Sequence, residues 1–554
     1  MTATAQPAAS TSPYLSGIWE PVQQEMDSVD LEVTGTLPAH LDGRYLRNGP
    51  NPAAEVDPAT YHLFSGDAMV HGLSLREGKA QWYRNRWVRT PSVSKALGET
   101  RPAAISANAG MGVIGPNTNV LGHAGRTLAL VEGGIANYEL TEDLDTIGTC
   151  DFDGTLPGGY TAHPHTDPDT GEMHAVSYSF ARGSTVQYSV IDAHGRARRT
   201  VDIQVHGAPM MHDFTLTEKY VVFYDLPVTL DMSMISQSVP VPRLLRKPAQ
   251  IVMNSLIGKV KIPGPIAAKA SQYSGKSPSI PYSWNPKYPA RIGVMPREGD
   301  DASRHAPVRW FEIDPCYVFH PLNGYSEMRN GAEVIVIDLV RYDSMFSQDV
   351  LGPSDAKGQL DRWTIDLAKG TVHMERKDDR HLEFPRINET FTGKKHRYGY
   401  LPDVENFFGS GEAAGASIVK YDYETGSTLS SRLDPQSCWG RCHSCRIRRV
   451  PPRTMVCSSG SRSTAGPMRG SCCCSMRPAW ISWPLSICRS EFRQASTATG
   501  LRAEIVIGPG DTSGTGLSVN RRGNSSAAVT LVAWRSRRPS APYSGRSVFQ
   551  VPPG

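Results

Sequence analysis

From residue 30 to about residue 430 the apolar positions fall in short runs separated by turn chemistry. Such runs include KAQWYRNRWV (79–88), TLALVEG (127–133), EMHAVSYSF (172–180), YVVFYDL (220–226) and EVIVIDLVRY (333–342). Each is rich in β-branched and aromatic residues and reads as a strand. The breaks between runs are explicit turns: REGK at 76–79, DPDTGE at 167–172, LAKGT at 367–371 and YETGS at 423–427. A glycine near the end of such a loop supplies the positive φ that a hairpin needs. Helical periodicity is nearly absent. Evenly spaced strands over so long a stretch predict an all-β propeller or a large barrel. No fixed-period repeat, such as a recurring WD dipeptide, gives a blade count.

One stretch breaks the pattern. Between Asp231 and Glu298 there is no acidic residue. Within 241–270, Val252, Met253, Leu256, Ile257 and Val260 are spaced to form one apolar helix face. Arg243, Arg246, Lys247, Lys259 and Lys261 flank it. A basic, amphipathic segment of this kind fits peripheral contact with a membrane surface, from which an apolar substrate is extracted. The alternative is an insertion that buries its apolar side against the body of the fold.

Composition changes the picture at one place. The chain has 554 residues, 39% hydrophobic and 20% charged, and a net charge of +4. That total hides two unlike pieces. From Ser437 to Gly554 there are 17 arginines, no lysine and three acids, Glu491, Glu504 and Asp511. The body carries a net −10 and the tail +14. Cys150 and Cys316 lie in the body, and the other eight cysteines lie between Cys438 and Cys488. The N-terminus has no basic and apolar leader pattern, and no apolar run is long enough to span a membrane as a helix, so the expected compartment is cytoplasmic.

Three histidines stand in unusual settings: His163 in GGYTAHPHTDPDTGE, His212 in PMMHDFTLTEKYVVFYDLP and His320 in IDPCYVFHPLNGYSE. Each lies at the edge of a predicted strand, beside apolar or aromatic residues. One such histidine is more often a core residue than a ligand. Three, each given by a different blade, would surround a propeller axis. Neutral imidazole suits iron, zinc and copper alike, so residue type does not select the metal. His165 shares a strand face with His163, but the intervening proline argues against a second ligand there. His62 and His71 are assigned no role.

These segments, with LDGRYLRNGPNP (41–52), YHLFSGDAMVHG (61–72), NTNVLGHAGRTLALVEGG (117–134) and EFPRIN (383–388), resemble the carotenoid cleavage oxygenase family. That family includes apocarotenoid- and stilbene-cleaving dioxygenases and a retinoid isomerase of the retinal pigment epithelium; the likeness is to its actinobacterial members. The resemblance implies a seven-bladed propeller with capping loops and short helices, and one Fe(II) per subunit on the axis, held by four histidines. His163, His212 and His320 match the first three ligands. Glu132 and Glu383 match carboxylates that orient ligand imidazoles, which fixes the tautomer and raises ligand basicity. Taken alone, those two would be ordinary strand-end acids. The implied reaction is oxidative cleavage, with O2 as co-substrate, of one double bond of a carotenoid, apocarotenoid or similar conjugated alkene to two carbonyl products. Trans–cis isomerisation at the same site is a variant. The implied partner is an apolar polyene, with no nucleic acid.

The tail departs from the family. Its members end in a G-E-x-x-F-V-P strand and an F-H-G-N-W strand that carries the fourth histidine; neither is present. Shifting the tail's codons by one base, with silent positions chosen freely, recovers both motifs in one constant frame. The missing glutamate codon then straddles Gly440 and Arg441, and the missing histidine codon straddles Ser496 and Thr497. The division expected is an N-terminal segment over 1–29, an incomplete propeller over 30–436, and an out-of-frame tail over 437–554 that is non-native or disordered. The alternative to an active oxygenase is that this exact chain is an inactive, frameshifted relic of one. A rival reading takes Cys442-x-x-Cys445 and the arginines as a zinc and nucleic-acid module. The adjacent cysteines 472–474 and the lack of a second ligand pair argue against it.

Overall fold

The computed structural model describes residues 13–432, except 16–19, 30, 35–36, 38, 40, 59–60, 62, 101–102, 107–114, 157, 180–181, 232–281, 300–306, 347–355 and 405–416. It also describes strands at 446–449, 455–458, 503–507, 514–520, 530–534 and 547–549. Among the described residues, one α-helix, Pro91–Ala96, and three short 3-10 helices accompany the strands. The amphipathic segment 241–270 lies outside them, as does His62.

Strands pair with their chain neighbours into successive antiparallel sheets, arranged as propeller blades. Blade one is Gly43–Pro50, Ala68–Arg76 and Lys79–Trp87, with Met26–Ser28 on its outer edge. Blade two runs from Asn119–His123 to Thr146–Thr149, and blade three from His165–Thr166 to Ala197–Gln204. Blade four joins Thr215–Leu216, Tyr220–Asp225, Arg291–Pro296 and Arg309–Glu312. Blade five spans Pro321–Arg329 to Thr371–Asp378, and blade six has three strands, Tyr398–Asp403, Ser417–Asp422 and Thr428–Arg432. First strands of successive blades touch, one against two and four against five, which puts that edge of each blade at the hub.

Six blades are found between Gly43 and Arg432, where the resemblance implies seven. The break coincides with the composition change. After residue 436 the structure describes six short strands. Three of these strands form a four-stranded sheet with Leu31–Thr34, and Ser547–Phe549 pairs in parallel with Gly43–Pro50.

Burial follows position within a blade. Met173–Ser177 is buried at every residue, and Ala332–Arg341 over seven consecutive ones. Such strands are covered on both faces by neighbouring blades, which is why they read as unbroken apolar runs. The outer strand Ala197–Gln204 alternates instead, with Arg199, Val201 and Ile203 turned inward. One core cluster runs through four blades and includes Val190, Phe223, Ile292, Ile337, Trp363 and Val419. Smaller clusters join blades one and two through Leu46, Val120 and Tyr138, and blades two and three through Leu128, Met173 and Ala175.

A local repeat does exist, at the hairpins. Asp167, Asp192, Asp366 and Asp422 each use Oδ1 to accept a backbone N–H two residues on, at 2.8 to 3.0 Å. The side chain thereby closes the turn. All four turns end at a positive-φ glycine: Gly171 (+72°), Gly195 (+80°), Gly370 (+74°) and Gly426 (+68°). The copies are unevenly spaced because blade lengths differ, which hides them from a search for a fixed period.

Candidate metal centre

His163, His212 and His320 each lie just ahead of the first strand of blades three, four and five. That placement brings all three to the hub. One nitrogen from each ring falls within 4.8 Å of the other two. The rings meet at centroid distances of 4.4 Å (163–212), 4.8 Å (163–320) and 4.9 Å (212–320).

Carboxylates set the tautomers of two rings. His212 Nδ1–H donates to Glu132 Oε1 at 2.8 Å, and His320 Nδ1–H donates to Glu383 Oε2 at 2.7 Å. Glu132 follows the second strand of blade two and so reaches past blade three to its partner on blade four. With Nδ1 protonated, each neutral ring presents a lone pair at Nε2, and these two Nε2 atoms are 3.1 Å apart. Two lone pairs at that distance repel unless a cation lies between or beside them. His163 Nε2 is buried with no hydrogen-bond partner. Burial, then the neighbouring His212 and His320, holds the His163 pKa well below the usual imidazole range. Burial also pulls on His212, but the Glu132 charge and hydrogen bond outweigh it and leave that ring raised. Three imidazoles with inward lone pairs fit a borderline transition-metal ion, Fe(II) included.

Aromatic residues pack against the trio. Phe319 meets His212 edge-on at 5.1 Å and touches Tyr317, Tyr342 and Phe346. Tyr178 and Tyr282 pair at 6.0 Å. Burial first, then the nearby Glu132, pushes the Tyr178 hydroxyl well above the ordinary tyrosine range; Tyr342 is raised by burial and Glu383. None of these rings lines the cavity of about 320 Å³ that lies along the hub, whose walls are mixed, with Phe214, Leu216, Leu322 and Phe384 beside the polar groups. That cavity is bounded by His163 and His320, with His165, Asp213, Asn323 and Arg386 among its walls.

The structure therefore brings together five residues singled out in the sequence: His163, His212, His320, Glu132 and Glu383. His165 is turned instead to Asp213, 2.7 Å away. His71 is buried in blade one against the Tyr83 hydroxyl. The positions proposed to overlie the missing glutamate and histidine, 440–441 and 496–497, lie outside the described residues. Sequence reasoning missed Asp213, Asn119 and the Phe319 and Phe384 rings. The two phenylalanines adjoin His320 and Glu383 in the chain, which is a usable signal. Asn119, whose Nδ2 donates to Ala162 O at 2.8 Å, has no local signal at all.

A β-propeller with a three-histidine hub defines a class of candidate metalloprotein, and the comparisons name the family. The family model described as retinal pigment epithelial membrane protein matches residues 19–452. A carotenoid cleavage oxygenase of Mycobacterium tuberculosis is 61% identical over 436 residues, covering 78% of this chain and 86% of that protein. A carotenoid 9,10(9',10')-cleavage dioxygenase 1 of Pisum sativum is 31% identical over 448 residues, covering 74% and 72%. Among solved structures, a lignostilbene dioxygenase of Pseudomonas brassicacearum aligns with a TM-score of 0.61 at 22% identity, covering 99% of this chain and all of that one. The chain belongs to the retinal pigment epithelial membrane protein family, that of the carotenoid cleavage oxygenases.

Proposed function

We propose that the chain is built as an Fe(II)-dependent dioxygenase that cleaves one double bond of a carotenoid, apocarotenoid or similar conjugated alkene. One alkene and one O2 give two carbonyl products, so both oxygen atoms are accounted for. The observation that carries the reading is the convergence of three imidazoles from three successive blades, two of them locked by glutamates with Nε2 turned inward. Bound Fe(II) would supply O2 activation. Glu132 and Glu383 keep the Nδ1 protons in place and the inner lone pairs available. Phe214, Leu216, Leu322, Phe384 and Ile387 give the hub cavity beside the imidazoles an apolar wall suited to a polyene.

The test is an anaerobic Fe(II) titration of the full chain, followed by an apocarotenoid and O2. The expected products, from whatever fraction of the chain takes up iron, are two carbonyl fragments per alkene, with one O2 consumed. Glu132→Ala and Glu383→Ala are expected to weaken Fe(II) binding about 10–100-fold. An isomer formed without O2 uptake would replace cleavage by isomerisation.

A second reading concerns this exact polypeptide. The six-blade count, the abrupt charge change at about residue 436 and the loss of both closing motifs support an out-of-frame tail. The family ring would then be seven-bladed, with the sheet on Leu31–Thr34 occupying the last place. A chain without the fourth histidine binds iron weakly and turns over slowly. Membrane contact through 241–270 remains part of the proposal, tested by flotation of the chain with anionic vesicles.

A further inference from the structure

The three imidazoles are not held alike. His212 and His320 each have a glutamate on Nδ1. No carboxylate pairs with His163 among the described residues, and its Nε2 makes no hydrogen bond. Its ring must therefore be aimed by the backbone that carries it. That backbone is fixed on both sides. On one side Asn119, from blade two, donates through Nδ2 to Ala162 O at 2.8 Å. On the other, His165 Nε2 lies 2.7 Å from Asp213 Oδ1, on the blade-four segment that carries His212. The same Asp213 oxygen accepts from Phe214 N–H at 2.7 Å, so the carboxylate is tied to its own strand. The Asp213 side chain is only 5% exposed and that of His165 26%. The His165 ring also stands edge-on to Phe214 at 4.8 Å. An ordinary surface ion pair has none of these restraints.

We propose that the His165–Asp213 pair is a positioning strut: it holds the His163 segment against the His212 segment and so sets the spacing of the two imidazoles at the metal. The inference rests on the metal-centre reading above. His165 and Asp213 are positioning residues; neither is assigned to the metal. Removing a contact that orients a metal ligand typically costs about 10–100-fold in metal affinity.

The test uses the full chain and Co(II), read by titration and by the visible Co(II) spectrum, with apoprotein melting measured alongside. Asp213→Ala and His165→Ala are expected to weaken Co(II) binding about 10–100-fold and to change the spectrum. Asp213→Asn keeps an acceptor for both donors and is expected to recover wild-type binding and spectrum. The double variant should bind no worse than either single one, since the two share one contact. If His163→Ala abolishes binding while Asp213→Ala and His165→Ala leave affinity and spectrum unchanged, the strut is wrong and the metal centre stands, whatever the melting temperatures do. If the wild-type chain binds no Co(II), the metal-centre reading fails and the strut falls with it.

Discussion

His174 takes its charge state from the groups around it. Arg297 Nη2 lies 3.1 Å from its Nε2, and a guanidinium only donates, so Nε2 must accept. Nδ1–H then donates to the Tyr188 hydroxyl at 2.7 Å. Arg297 is itself paired with Asp167 and reaches Thr217 O at 3.2 Å, which ties blade three to blade four. Burial first, and Arg297 next, hold the His174 pKa down to about 3. Above the usual imidazole pKa of 6.5 the residue is neutral folded or unfolded. Below it, the unfolded chain takes up a proton that the folded chain refuses until about pH 3. Stability therefore falls as pH drops through that window, by about 1.4 kcal/mol per pH unit for this one group. Urea unfolding of the apoprotein should show a lower midpoint at about pH 5 than at about pH 7. His174→Gln, which keeps a donor and an acceptor without titrating, should flatten that dependence. An unchanged pH slope in the variant would remove His174 as its source.

At the scale of elements, the loop after Arg126–Leu130 is shaped by a contact that no strand pattern announces. Gly133 and Gly134 have φ of +76° and +82°, and Glu132 stands just before them. A Cβ placed on Gly159 would overlap the backbone of Gly134. Gly159→Ala must therefore push this loop away and loosen Glu132 from His212. The expected result is a destabilisation of about 1–3 kcal/mol together with weaker metal binding. A melt and a Co(II) titration check both, and an unchanged pair of readings would show that the loop yields freely. The case also marks what the sequence makes legible. Strands such as EVIVIDLVRY and their turn signals are local, so they can be read directly; five site residues came from motif likeness in the segments between such strands. Asp213, Asn119 and the Gly159–Gly134 contact join positions from different blades, and their chain neighbours carry no trace of the partner. The seventh blade was expected from likeness alone, and the chain after residue 436 no longer carries the residues of that likeness.

At the scale of the molecule, the decisive feature is how the ring closes. A propeller covers every blade face with a neighbour, and an unclosed one leaves a sheet face and strand edges open. Here blade six has three strands and ends at Arg432, just before the arginine-rich, lysine-free tail begins. A net −10 body followed by a +14 tail is a poor match for a continuous blade core. If one base near codon 436 separates this chain from its family, restoring the frame supplies the closing strands, the third glutamate and the fourth histidine together. The restored chain should melt at a higher temperature, bind Fe(II) at one per chain and cleave an apocarotenoid. The 554-residue form should melt earlier, with substoichiometric iron. Truncation at residue 436 separates loss of the proper blade from interference by the tail: a truncated chain no better than the full one assigns the defect to the missing blade. Equal melting and equal iron content in the restored and unrestored chains would show that the six blades already close the hub, and that the tail's strange composition has no bearing on the metal.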